Sequence, residues 1–142
     1  MGMAMRSRHR LGDLQLAIMK VLWERGRATV SEVHHALQDE RGLAPTTIAT
    51  MLKKMEDKGV VEHIVDGRQF IYHPIVKEAD VTRTMVGELV ERLYGGDALA
   101  MVSHLLSEGD FDEAELKRLR SLIEQRAGRR SASGGERKGH GR

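Results

Sequence analysis

The sequence predicts a mainly α-helical protein with one small β element, and three observations carry that prediction. Apolar residues recur at helical spacing along most of the chain, as in Ile48, Met51, Leu52 and Met55. Directly after Gly59 the period changes to two residues, for a single stretch centred on Asp66-Gly67. From Val76 the helical period returns and persists to about residue 126.

The first ten residues form a polar segment with Arg6, Arg8 and Arg10 at alternate positions. Their expected state is a flexible arm, and such basic arms often touch phosphate or the minor groove. Asp13 reads as a helix N-cap, followed by Leu14, Ile18, Val21 and Leu22 at helical spacing up to Gly26, with Trp23 as a core anchor. Thr29-Val30-Ser31-Glu32 is a capping box that opens a short second helix, with Val33 and Leu37 inward and an end near Arg41-Gly42.

A third helix spans Leu43 to Lys58, with Pro45 in its first turn and Gly59 just beyond its last. Its apolar stripe is one face. The other carries Thr46, Thr47, Ala49, Thr50, Lys53 and Lys54, with no carboxylate before Glu56. A helix that is merely wet normally mixes both signs of charge. Small and hydroxyl side chains followed by cations suit base edges and phosphates in a major groove. Two helices joined by so short a turn, the second with an unblocked polar face, make a helix-turn-helix.

Val60–Val65 and Arg68–His73 flank Asp66-Gly67 as a hairpin, and Pro74 stops the second strand. A hairpin directly after such a helix is the wing of a winged helix, with Arg68 at its tip in reach of phosphate. Three amphipathic helices follow. The first carries Met85, Leu89 and Leu93 up to Tyr94-Gly95-Gly96; the second, capped by Asp97, carries Leu99, Val102, Leu105 and Leu106. The third, capped by Asp112, carries Leu116, Leu119 and Ile123. They have too little chain for a core of their own, so a partner subunit is the natural cover for their stripes. The expected organisation is an arm over 1–10, a winged helix over 11–75, a helical dimerisation region over 76–126 and a disordered basic tail over 127–142.

The composition sets bounds on function. The 142 residues, 40% hydrophobic and 31% charged, fit one ordinary domain or a small domain with an appendage. No apolar run approaches the roughly 18 residues needed to span a bilayer, and no signal-peptide pattern follows the start, so a cytoplasmic address is expected. Cysteine is absent, which excludes disulfides, thiolate metal sites and a cysteine nucleophile. The net charge of +2 is uneven: +2 over 1–76, −4 over 77–126 and +4 over 127–142. That division suits one part facing an anion and another facing protein.

The order and spacing of several short strings resemble the penicillinase-repressor family of bacterial regulators, the BlaI/MecI proteins and their copper-responsive CopY-type relatives. The matching strings are Leu11-Gly12-Asp13-Leu14, Val21-Leu22-Trp23, Thr29-Val30-Ser31-Glu32-Val33, Thr46-Thr47-Ile48, Lys58-Gly59, Gly67-Arg68, Tyr72-His73-Pro74 and Leu93-Tyr94-Gly95-Gly96-Asp97. The resemblance covers about residues 11–125. It implies a homodimeric transcriptional repressor of inverted-repeat operators, controlling antibiotic-resistance or stress-response genes. In such a protein the N-terminal domain holds DNA and the C-terminal helices hold the dimer. It places Thr46, Thr47, Ala49 and Thr50 at bases or nearby phosphates, where the β-lactam branch often has a longer basic residue in place of Ala49, and Pro45 at the start of the helix joins the expected DNA-binding set. That branch is induced through a membrane metalloprotease and a cut at an Asn-Phe bond, which would correspond here to His104-Leu105; neither residue matches. The copper-responsive branch uses a C-terminal cysteine cluster, which this chain lacks.

Two other function classes are weaker. A regulator sensing a metal or small ligand through the C-terminal helices would draw on His104, Glu108, Asp110 and Asp112, whose spacing is no tight ligand motif. The adjacent rings of His34 and His35 point about 100° apart on a helix and do not easily share an ion. No metal or other cofactor is therefore expected. An enzyme would need a nucleophile–base pair, a phosphate loop or paired carboxylates in a cleft, and none is visible.

Overall fold

The computed structural model describes residues 8–139. Helix α1 (Asp13–Arg25) leads through a two-residue strand β1 (Ala28–Thr29) into α2 (Val30–Arg41) and α3 (Pro45–Lys58). Strands β2 (Val61–Asp66) and β3 (Gln69–Pro74) follow, then helices α4 (Glu78–Tyr94), α5 (Ala98–Glu108) and α6 (Glu113–Gly139). The chain divides into two compact units, Met1–Gly96 and Asp97–Arg142.

The first unit is a winged helix. Helices α1, α2 and α3 each contribute one apolar stripe: Ile18, Met19 and Leu22; Val33 and Leu37; Ile48, Leu52 and Met55. Val60, Val61 and Tyr72 close this core from the sheet side, and Val76 and Val81 from the segment beyond. Trp23 is tied to the same core, its indole N–H donating to the Val76 carbonyl at 2.9 Å. The sheet order is β1-β3-β2, all antiparallel, with Ala28 opposite Tyr72 and His63 opposite Tyr72 on its other side. Strand β1 was not anticipated, because two residues carry no readable alternation.

Two local expectations are corrected. The N-cap of α1 is Gly12, whose carbonyl accepts from Leu16 N–H at 2.8 Å; Asp13 lies inside the first turn, where its charge still suits the helix dipole. Asp66 pairs with Gln69, so the hairpin loop is Gly67-Arg68 rather than Asp66-Gly67. Gly67, at φ +64°, supplies the left-handed first position that a two-residue turn with glycine leading demands. Within the first compact unit, α4 buries Val81 and packs Met85 against the winged-helix core.

In the second unit the anticipated caps are present. The Asp97 carboxylate accepts from Ala100 N–H at 3.1 Å. Asp112 and Glu115 cap reciprocally, at 2.8 and 3.2 Å. Helix α6 continues to Gly139. Arg126, Ala127, Arg129 and Arg130 are good helix formers, and extending an existing helix costs far less than starting one. Leu99 is 74% exposed and Ile123 59%, so the apolar stripes of this unit lie open in a single copy.

Candidate nucleic-acid interface

The turn into α3 is held at three points. Gly42 ends α2 in the left-handed region, its N–H bonded to the Gln38 carbonyl at 2.9 Å. Ala44, extended, is the N-cap that precedes Pro45. The His34 Nε2 lies 2.7 Å from the Leu43 carbonyl. A carbonyl can only accept, so this nitrogen carries the proton and the imidazole fastens α2 to the turn. In the sequence, His34 reads only as a candidate metal ligand. The clamp needs a partner nine residues away, which no local motif reveals.

Helix α3 then sorts its residues by side. Ile48, Leu52 and Met55 are buried, whereas Pro45, Thr46, Thr47, Thr50, Lys53 and Lys54 are exposed and Ala49 is half-buried. Neither lysine forms an ion pair with a described side chain. Glu56 is drawn off this face by His63, whose Nδ1 sits 2.5 Å from the carboxylate. Asp57, at the C-terminal end, is the exposed carboxylate on this helix. The field over the first three turns is therefore set by hydroxyls, backbone and two cations.

The wing stands beside this helix. Its inner side carries a ring stack: His63 lies on Phe70 with centroids 4.2 Å apart and planes 14° from parallel, and Tyr72 packs edgewise against Phe70 at 6.5 Å. Burial raises the Tyr72 pKa above its ordinary value, with the Glu56 charge adding in the same direction. Arg68 is exposed at the hairpin tip. Between α3, the start of α2 and the wing runs a groove of about 580 Å3, lined among others by His34, Ala49, Lys53, Arg68, Phe70 and Tyr72.

The basic arm is described only from residue 8. Arg6 lies outside the described residues. The Arg10 guanidinium is held by Glu88 of α4 through bonds of 2.8–3.1 Å, and this pairing raises its pKa. Lys58 donates to the Arg10 carbonyl, while burial, and then the Arg10 charge, lower the Lys58 pKa. His9 is buried and Arg8 lies within contact range of Gly59. Residues 8–11 are thus packed between the end of α3 and α4, because Leu11 and His9 bury side chains there. Arg10 is thus paired while its side chain remains 60% exposed.

The other sites of the sequence reading are distributed as follows. Met85 packs on the first core, whereas Leu89, Leu93, Leu99, Val102, Leu105, Leu106, Leu116 and Ile123 are exposed and Tyr94 and Leu119 half-buried. His104 and Leu105 lie inside α5. Among the described residues no group of three or more His, Cys, Asp or Glu side chains is placed to hold a metal ion, so the cluster from His104 to Asp112 is not brought together. Among those residues no helix is long and apolar enough to cross a membrane.

Comparison with known proteins adds a family. The sequence model described as "Penicillinase repressor" matches residues 11–125. The chain is 38% identical over 121 residues to the transcriptional regulator BlaI of Mycobacterium tuberculosis, covering 84% of this chain and 87% of that one. It is 29% identical over 120 residues to the penicillinase repressor of Bacillus licheniformis, covering 84% and 94%. Among solved structures, the hsRosR-S4 complex superposes with a TM-score of 0.51 at 20% identity, over 87% of this chain and 96% of that one. That last likeness concerns the fold alone.

Proposed function

The chain belongs to the penicillinase repressor family of transcriptional regulators, which are not enzymes, and on that premise we propose that it is a homodimeric, sequence-specific repressor that binds inverted-repeat operators. One observation supports this reading above the others: the exposed face of α3 presents Thr46, Thr47, Thr50, Lys53 and Lys54, with Glu56 turned away toward His63. Thr hydroxyls donate or accept at base edges, and the Thr and Ala49 methyls suit the thymine methyl group. Lys53, Lys54 and Arg68 neutralise phosphates and set orientation. Arg8 and Arg10 are left out of this set, since Arg10 is paired with Glu88 and Arg8 packs beside Gly59.

The second copy is argued from the C-terminal unit. Leu99, Val102, Leu105, Leu106, Leu116, Leu122 and Ile123 are all exposed in one chain. So many large apolar side chains on two successive helices are normally covered, and a self-complementary pairing of α5 and α6 covers them by symmetry. Two α3 helices about 34 Å apart then enter successive major grooves on one DNA face. The test is a gel shift with the protein's own promoter region against random duplex at moderate salt. A preference for the promoter is expected, and equal binding to both refutes sequence-specific repression.

A further inference from the structure

We propose that the groove between α3 and the wing is a binding site for a small planar aromatic acid, and that its occupation displaces DNA. Three features of the groove point to this ligand class. Its volume, about 580 Å3, is that of a small-molecule site. Its wall is an aromatic platform: Phe70 is 46% exposed while one of its ring faces is backed by His63, which Glu56 holds in turn. Such a ring is pre-set to stack on a second planar ring without losing side-chain freedom. Its charge is of one sign. Lys53 stands on the helix side and Arg68 on the wing side, and none of the lining residues is acidic. A guanidinium at the mouth pairs with a carboxylate or phosphate in two-point geometry. Ala49 matters by its size, since a longer side chain at this position in α3 fills the space next to Lys53.

Aromatic wall and cations together select against a neutral aromatic, which leaves both charges unpaired, and against an aliphatic acid, which leaves the ring face wet. Displacement follows because Lys53 and Arg68 are also the groups proposed to bind phosphate. That consequence rests on the DNA-binding reading above; binding of the acid to the free protein does not.

The experiment is a titration of the full chain with 2-naphthoate, without DNA, followed by calorimetry and by amide chemical shifts. Saturable binding of one equivalent per chain is expected, with shifts centred on Ala49, Gln69, Phe70 and Tyr72. Phe70→Ala is expected to weaken binding about tenfold, through lost stacking and apolar area. The exposed variants Arg68→Gln and Lys53→Gln keep the fold intact and are expected to weaken it several-fold, and 2-naphthalenemethanol to bind as weakly as those variants. No saturation in the millimolar range, or shifts confined to α5 and α6, overturns the site. If naphthoate binds there but leaves the affinity for duplex DNA unchanged, the displacement is overturned and the site stands; a protein that binds naphthoate but no DNA overturns the repressor reading instead.

Discussion

Leu52→Ala separates what holds the protein together from what faces outward. Leu52 has no exposed surface and sits at the middle of the α3 stripe, between Ile48 and Met55. Cutting it to alanine removes three buried carbons and leaves a cavity that helices α1 and α2 cannot close without moving. The expected cost is about 2–5 kcal/mol. For a unit of this size each kcal/mol lowers the melting temperature by about 4–8 °C, so a drop of about 8–40 °C is predicted. Differential scanning calorimetry measures it, with near-ultraviolet circular dichroism following the Trp23 environment. Well below the new midpoint the variant still presents Thr50, Lys53 and Lys54, and its DNA affinity should stay within about threefold of the parent. The neighbouring Thr50→Ala should do the reverse, leaving the midpoint unchanged and weakening promoter binding. A Leu52→Ala midpoint shift below about 5 °C, or a large loss of stability from Thr50→Ala, refutes the assignment of the two faces.

Three more outcomes follow from particular contacts. Thr29→Ala removes the side chain that accepts from Glu32 N–H at 3.1 Å and should cost about 1 kcal/mol at neutral pH; denaturant titration checks it. The Glu32 carboxylate is held below its ordinary pKa of 4.5 mainly by its bond to the Thr29 backbone, so its contribution is present above that value and fades as pH falls through the lowered one. Tyr72, held above its ordinary 10.0 by burial, stabilises the fold fully below that pH and less as pH rises through its folded pKa; Tyr72→Phe should flatten the alkaline limb of a melting-temperature profile. Arg10→Gln should leave the salt dependence of DNA binding unchanged, because that guanidinium is occupied by Glu88; a free DNA-contacting arm would instead lose about one unit of slope per subunit.

Much of this architecture is legible in the sequence because it is local. The stripe of Ile48, Leu52 and Met55, the box at Thr29, the cap at Asp112 and the glycine after Lys58 all depend on neighbours within four residues. The Asp66-Gly67 signal located the hairpin but not its register, since a one-residue shift of the loop is decided by strand pairing. What escaped was built from distant partners: the His34 clamp on Leu43, the Trp23 bond to Val76 and the Glu56–His63 contact that clears the α3 face. The arm shows the same limit in reverse. Arg8 and Arg10 look free in sequence, and only the packing of His9 and Leu11 and the position of Glu88 on α4 show what they touch.

The central claim, that the exposed side of α3 holds duplex DNA, is tested most directly by the salt dependence of promoter binding in the Lys53→Gln/Lys54→Gln double variant. Each neutralised phosphate contributes about 0.9 to the slope of log affinity against log salt, so four lost contacts in a dimer should reduce its magnitude by about 3.6. Fluorescence anisotropy from low to moderate salt reads that slope. A reduction of this order supports the account; a slope equal to the parent's contradicts it, since these lysines would then touch no phosphate.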